Sequence, residues 1–216
     1  MEFALLSGIA EDARRQVLSH ARRRRFRRGE VVFHEGDAGD TLHLVTRGRF
    51  AVRVTTPLGD VATLLVLGPG GHFGELAIVA PGPRNATVAA LDDAETLSLH
   101  RDNVIELQRS LPSVATALVD GLVTEIRRLS HQLLEALYLP ADQRVLRRLL
   151  DLISGDEADA GPVTIPLTQD ELAQLAGTTR PTANRVLRDA VDAGLVELHR
   201  GRIVVLDQEG LVRRAR

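Results

Sequence analysis

The stretch LTQDELAQLAGTTRPTANRVLRDAVDAGLVELHRGRIVVLD, residues 167–207, decides how the C-terminal part of the chain folds. Thr168 followed by Gln169, Asp170 and Glu171 is a capping box, in which the Thr hydroxyl accepts a first-turn N–H and Glu171 reaches back to the start. Leu172, Ala173, Leu175 and Ala176 give the short helix an apolar face, and Gly177 stands where the chain must turn sharply, commonly at positive φ. Thr179 then caps a second helix with Arg180 and Pro181 in its first turn, where the missing Pro N–H costs nothing. On that helix Ala183, Val186, Leu187 and Ala190 share the inward side, leaving Arg180, Pro181, Asn184, Arg185 and Arg188 outward. Two β-prone runs around Arg200 and Gly201 predict a hairpin whose tip presents His199, Arg200 and Arg202.

Two short helices across a tight turn, followed by a hairpin, make a winged helix-turn-helix, and its expected partner is double-stranded DNA. An Arg can donate two hydrogen bonds to guanine and an Asn can pair with adenine, each good contact contributing about 1–3 kcal/mol of discrimination. The candidate DNA-contacting residues are Thr168, Gln169, Thr179, Arg180, Thr182, Asn184, Arg185 and Arg188, with His199 and Arg200 at the wing against phosphate. The competing reading of the outward stripe is a solvated helix face. A net charge of −2 gives no global attraction to a polyanion, so binding must come from the local arrangement of arginines and helix ends.

Upstream, residues 112–138 contain no Pro after the first position and repeat apolar residues at Val114, Leu118, Leu122, Ile126, Leu129, Leu133 and Leu137. This is one amphipathic helix, ~40 Å long, more than its own domain needs to cover a core, so part of the stripe is expected to meet a second copy. Leu139-Pro140 interrupts the pattern and places a hinge there. ADQRVLRRLLDLI (141–153) reads as a further helix, SGDEADAG (154–161) as an acidic loop and VTIPL (163–167) as the lead into the reader. The expected domains are 1–111, a dimerisation helix and hinge at 112–139, and a DNA-binding domain at 140–216.

From Phe26 to about Leu99 the chain is a series of short β-prone runs broken by Gly, which predicts an all-β roll or barrel. Within it, GGHFGELAIVAPGPRNATVAAL (70–91) combines a Gly-rich turn, an acidic residue and an Arg. Gly74, Glu75 and Leu76 would start a short helix whose free N–H groups attract an anion, Arg84 would supply a charged fork, and Glu75 would accept from a sugar hydroxyl. Out of context, an Arg and a Glu nine residues apart read as a surface salt bridge. The run RRRRFRR (22–28) leads into the first strand and reads as an exposed, solvated edge.

FGELAIVAPGPRNATVAA (73–90) resembles the phosphate-binding cassette of cyclic-nucleotide-binding domains, and residues 168–207 resemble the helix-turn-helix of the cyclic-AMP receptor protein family, Crp/Fnr. GEVVFHEGDAGDTLHLVTRG (29–48) looks like that family's first roll strands. The resemblance implies an α+β chain: an N-terminal cyclic-nucleotide-binding-type β-roll (jelly roll), a long dimerisation helix and a C-terminal winged helix-turn-helix. It implies ligand contacts from Gly74 and Glu75 about the ribose, Arg84 at the cyclic phosphate, Leu76 and Asn85 elsewhere in the same cassette, and Ser130 of the long helix at the base across the dimer. No cofactor is implied as obligatory; a cyclic nucleotide, with cyclic AMP favoured, is the implied effector, and RNA polymerase the implied protein partner. Three positions depart from the family pattern. Asn85 stands where cyclic-AMP binders carry Ser or Thr, Leu129 where the receptor has Thr, and Pro181 where it has Glu. Pro cannot accept from cytosine, so a different operator is expected. The open alternatives are a cyclic dinucleotide or no ligand, a regulatory subunit that binds no DNA, and a non-specific architectural protein.

Cysteine is absent, which excludes disulfides, thiolate-bound iron–sulfur clusters and cysteine zinc sites, and the seven His residues form no spaced ligand pair. No stretch approaches the ~18 apolar residues of a membrane span, and the N-terminus lacks the features of a secretory signal, so a cytoplasmic protein with no membrane partner is expected. No nucleophile–base or metal-ligand constellation suggests an enzyme.

Overall fold

The computed structural model describes residues 2–153 and 161–215. The expected acidic loop, apart from Gly161, lies outside the described residues. The chain divides into two compact units, Met1–Val54 with Leu65–Leu129, and Thr55–Leu64 with Ser130–Arg216.

A 3-10 turn (Ala4–Leu6) and α1 (Glu11–Ser19) are followed by strands β1 (Arg22–Phe26), β2 (Val31–Phe33), β3 (Thr41–Arg47), β4 (Phe50–Thr55), β5 (Val61–Leu67) and β6 (His72–Phe73), the first unit holding all of these but Thr55–Leu64. A single turn, α2 (Leu76–Val79), precedes β7 (Thr87–Ala90) and β8 (Ala94–His100). These strands form two four-stranded sheets, ordered β1-β8-β3-β6 and β2-β7-β4-β5. This is the expected roll. Residues 42–45 of β3 are buried on both faces: Leu42 and Leu44 join a cluster with Phe3, Leu5, Leu6 and Leu99, while Val45, Phe50, Phe73 and Val88 form a second between the strands. The arginine run does more than lead into a strand. Arg22–Arg25 are themselves in β1, an edge strand paired only with β8, all four exposed, with Phe26 buried. Glu95 on β8 pairs with Arg23 at 3.6 Å and Arg25 at 3.2 Å, across from them.

A polar side chain sits within this apolar interior. His43 is 4% exposed, stacks on Phe73 with ring centroids 4.9 Å apart, and shares a 3.0 Å hydrogen bond with Thr96 Oγ1. Burial, assisted by the nearby Arg84 and Arg24 charges, pushes its pKa from 6.5 down to about 3. The folded state therefore holds a neutral ring where the unfolded chain takes up a proton. The stabilisation is complete above about pH 6.5 and is lost progressively as pH falls toward 3. Between pH 7 and pH 5 the roll is expected to lose about 2 kcal/mol through this residue. Denaturant unfolding at both pH values checks it, with the pH dependence expected to flatten in His43→Phe.

Helix α3 (Arg101–Ser110), which the strand pattern did not predict, follows β8 directly; His100 caps it by accepting from Asp102 N, and Val104 and Leu107 are buried. Helix α4 then spans Pro112–Tyr138, as its periodicity predicts. Val114, Ala117 and Leu118 are buried, whereas Leu129, Leu133, Leu134 and Leu137 are exposed. The helix breaks at Leu139-Pro140 and α5 (Ala141–Asp151) resumes with Pro140 at its N-cap.

In the second unit, β9 (Val163–Ile165) is followed by α6 (Gln169–Leu175), α7 (Arg180–Asp192), the hairpin β10 (Val196–His199) and β11 (Arg202–Val205), and α8 (Gln208–Arg214). Strand order is β10-β11-β9, so the wing hairpin is anchored by a third strand. Leu149, Ile165, Leu167, Leu172, Leu187, Ile203 and Leu211, all below 2% exposed, close the core on which α6 and α7 sit.

Candidate functional site

The roll carries a cassette built around one guanidinium. Gly74 has φ of +86°, and a Cβ there would fall 2.7 Å from both Arg84 Nη1 and the Thr41 carbonyl oxygen, so only glycine fits. Arg84 is 4% exposed. Its Nη1 donates to Gly74 O at 3.1 Å, and its Nη2 donates to Thr41 O at 2.9 Å and to Thr41 Oγ1 at 2.8 Å. The guanidinium carbon lies 4.0 Å from the centre of the Phe33 ring, a cation–π contact. Arg84 Nε is buried and has no hydrogen-bond partner among the described residues. Burial pushes the guanidinium pKa down, while Asp40, Glu75 and Asp37 push back. An arginine holds its charge even so. A buried cation with an unspent donor is chemically suited to an anion.

Glu75 is half-buried beside this cation, while Leu76 and Asn85 are exposed. α2 has four residues, and the Glu75 carbonyl already takes the N–H groups of Ile78 and Val79. The formal positive charge at this end of the cassette is that of Arg84. Ser130 lies exposed on α4, in the second unit. Thr41 and Phe33, which orient Arg84, were not among the sequence candidates; they are 43 and 51 positions away in the chain, and only the pairing of strands brings them to it.

The second unit realises the predicted reader. Thr168 Oγ1 accepts from Glu171 N at 3.2 Å, and Glu171 Oε2 accepts from Thr168 N at 2.8 Å, closing the capping box. Gly177 has φ of +59°. Thr179 caps α7 by accepting from Thr182 N, with Pro in the first turn. Ala183, Val186, Leu187 and Ala190 are buried, and Arg180, Pro181, Arg185 and Arg188 are exposed. Gln169 and Asn184 are brought together: Asn184 Nδ2 donates to Gln169 Oε1. Among the described residues Arg185 makes an exposed 3.7 Å pair with Asp189, one turn along the helix, which is too loose and too solvated to hold it. At the wing, His199 Nε2 lies 3.1 Å from Glu197 Oε2, and Arg200 is exposed at the tip beside Gly201. Among the described residues, no group of three or more His, Asp or Glu could hold a metal ion, and no helix is long and apolar enough to cross a membrane.

Two family models match the chain, the cyclic nucleotide-binding domain over residues 23–110 and the Crp-like helix-turn-helix domain over residues 143–214. The chain is 34% identical over 194 residues to the CRP-like cAMP-activated global transcriptional regulator of Mycobacterium tuberculosis, covering 88% of this chain and 87% of that protein. It is 35% identical over 201 residues to the cyclic AMP receptor protein of Thermus thermophilus, covering 93% and 91%. The chain belongs to the Crp/Fnr family of transcription regulators. Among solved structures it resembles the Thermus thermophilus catabolite activator protein, with a TM-score of 0.58, 33% identity, and coverage of 98% of this chain and 97% of that one. The Crp/Fnr architecture of roll, long helix and helix-turn-helix thus matches the α+β order expected from the sequence.

Proposed function

We propose that this Crp/Fnr member is a homodimeric regulator that binds palindromic operators when its roll holds a cyclic nucleotide, cyclic AMP above all. The carrying observation is Arg84: a nearly fully buried guanidinium with an unpaired Nε, stacked on Phe33, in the cassette of the same chain that presents an arginine-lined recognition helix. On this reading, residues 1–111 are the sensor, 112–139 the dimerisation helix and hinge, and 140–216 the DNA-binding domain. Arg84 and Asn85 take the cyclic phosphate, Gly74, Glu75 and Leu76 the ribose, and Ser130 the base. Gln169, Arg180, Asn184, Arg185 and Arg188 meet the major groove, while Thr168, Thr179, Thr182, His199 and Arg200 take phosphates. Asn184 gives one of its two Nδ2 hydrogens to Gln169, and its second hydrogen with Oδ1 is what adenine needs, so these two act as one unit.

The exposed Leu129, Leu133, Leu134 and Leu137 of α4 supply the dimer seam, because leucines at three- and four-residue steps are what a second helix covers. Two such helices set the paired recognition helices ~34 Å apart, one turn of DNA. The ligand acts through its differential affinity for the DNA-competent arrangement. The regulator works in the cytoplasm with RNA polymerase as the partner that reads its position on DNA.

Titration calorimetry of the full chain with cyclic AMP, cyclic GMP and cyclic di-GMP tests the ligand assignment. Cyclic AMP is expected to bind most tightly. Tighter binding of cyclic di-GMP would move the effector to another class, and binding of none would leave a DNA reader without this gate.

A further inference from the structure

The junction at Leu139-Pro140 has the sequence of a hinge, yet one side chain ties it down. Arg144, on the first turns of α5, donates from Nη1 to Leu139 O at 2.8 Å, from Nε to Ala176 O at 3.0 Å and from Nη2 to Gly177 O at 2.9 Å. All three acceptors are main-chain carbonyls at helix ends. Leu139 follows the last residue of α4, Ala176 is the C-cap of α6, and Gly177 is the positive-φ residue of the turn leading to α7. Such carbonyls have no partner within their own helices and must find a donor elsewhere. A planar guanidinium with donors on three nitrogens satisfies all three at once, which an ammonium cannot do in the same geometry.

The neighbouring turn of α5 braces the same junction. Arg147 Nη1 donates to Glu135 Oε1 on α4 at 3.0 Å, and its Nε donates to Ala215 O at 3.3 Å. The buried Arg148 also pairs with Glu135 and with Asp151. These contacts hold the last turns of α4 to α5, and the Arg144 bonds extend the tie to the turn between α6 and α7.

We propose that Arg144 is the pin of this junction, a positioning residue that fixes the angle between the end of α4 and the recognition helix α7. A bend at Pro140 alone would leave that angle free, since Pro140 adds no donor, and the Arg147 and Arg148 contacts to Glu135 tie α4 to α5 without reaching the turn before α7. With the pin in place, α7 takes its direction from α4, and any rearrangement of the α4 pair is passed to the recognition helices as a rigid rotation. The consequence for DNA rests on the reading proposed above; the pin itself does not.

The chain has no cysteine, so introduced cysteines label cleanly. Spin labels at Ala136→Cys on α4 and Asp192→Cys at the end of α7, in dimers diluted with unlabelled protein, report the distance within one protomer. The parent is expected to give one narrow distribution. Arg144→Ala is expected to give a distribution roughly twofold broader, as a released element samples more than one arrangement. Arg144→Lys keeps the charge and the stem, folds if the alanine variant does not, and is expected to broaden the distribution as well because it lacks the fork. Unchanged width in either folded variant overturns the proposal. In a second arm, operator affinity in the presence of cyclic AMP is expected to fall about tenfold in Arg144→Lys, as the DNA-competent angle becomes a fraction of about one tenth of those sampled. Broadening with unchanged operator affinity would overturn the positioning role for DNA. A parent that binds no DNA would instead refute the function proposed above, and the distance measurement would still decide the pin.

Discussion

Arg84→Ala is expected to lower the affinity for cyclic AMP by roughly two orders of magnitude or more, because it removes a buried, charge-assisted contact to the phosphate. The cassette offers no substitute cation: α2 is a single turn, and Glu75, Asp40 and Asp37 around the site are all negative. With Arg84 gone, these carboxylates would face an incoming phosphate directly. The variant also leaves Thr41 O and Gly74 O without their donor, so a stability loss of about 1–3 kcal/mol is expected. Calorimetry on a sample verified as folded separates the two effects. Thr41→Val removes one of the bonds to Arg84 and keeps the cation; it is the comparison that shows how much depends on orientation and how much on charge. Wild-type affinity in folded Arg84→Ala would remove Arg84 from the ligand site.

Arg180→Ala and Arg185→Ala are expected to relax operator specificity, each at a defined base position, by about 1–3 kcal/mol per half-site. In a symmetric dimer both half-sites lose the contact, so the effect on the whole operator approaches twice that figure. Arg200→Ala at the wing is the informative comparison. A phosphate contact carries no sequence information, so its loss weakens all sequences alike and reduces the salt dependence. Neither helix arginine is needed for folding: both are exposed, and the core side of α7 is carried by Ala183, Val186, Leu187 and Ala190. Binding to a library of operator variants, read at two salt concentrations, distinguishes base reading from phosphate contact. An Arg185→Ala profile that is uniformly weaker, with the base preference intact, would place Arg185 on the backbone of DNA.

What was legible in the sequence was local chemistry. The starts of α6 and α7 follow from Thr168, Glu171, Thr179 and Pro181, whose capping bonds span three residues, and the turn between them follows from Gly177. The 27-residue α4 was legible because its apolar repeat persists over many turns and Leu139-Pro140 closes it. α3 was not, since its cap is a histidine, a weak N-terminal signal, and it follows β8 without a loop. β1 was obscured for the opposite reason: four consecutive arginines carry little strand preference, and pairing along β8 overrides it. The site divides in the same way. Gly74, Glu75 and Arg84 share one motif, but Thr41 and Phe33 reach Arg84 only through the sheets. Arg144 carries no sequence signal at all, since an Arg on an amphipathic helix reads as a solvated residue until the helix ends converging on it are known.

On the function proposed above, occupancy of the cassette governs a sequence-specific reader. Selection of binding sites from a random DNA pool by the full chain, with and without cyclic AMP, tests it most directly. A palindrome whose half-sites lie one helical turn apart, about 10–10.5 base pairs between centres, is expected to be recovered with cyclic AMP and not without it. Equal recovery of the same palindrome in both conditions would contradict the coupling between cassette and reader.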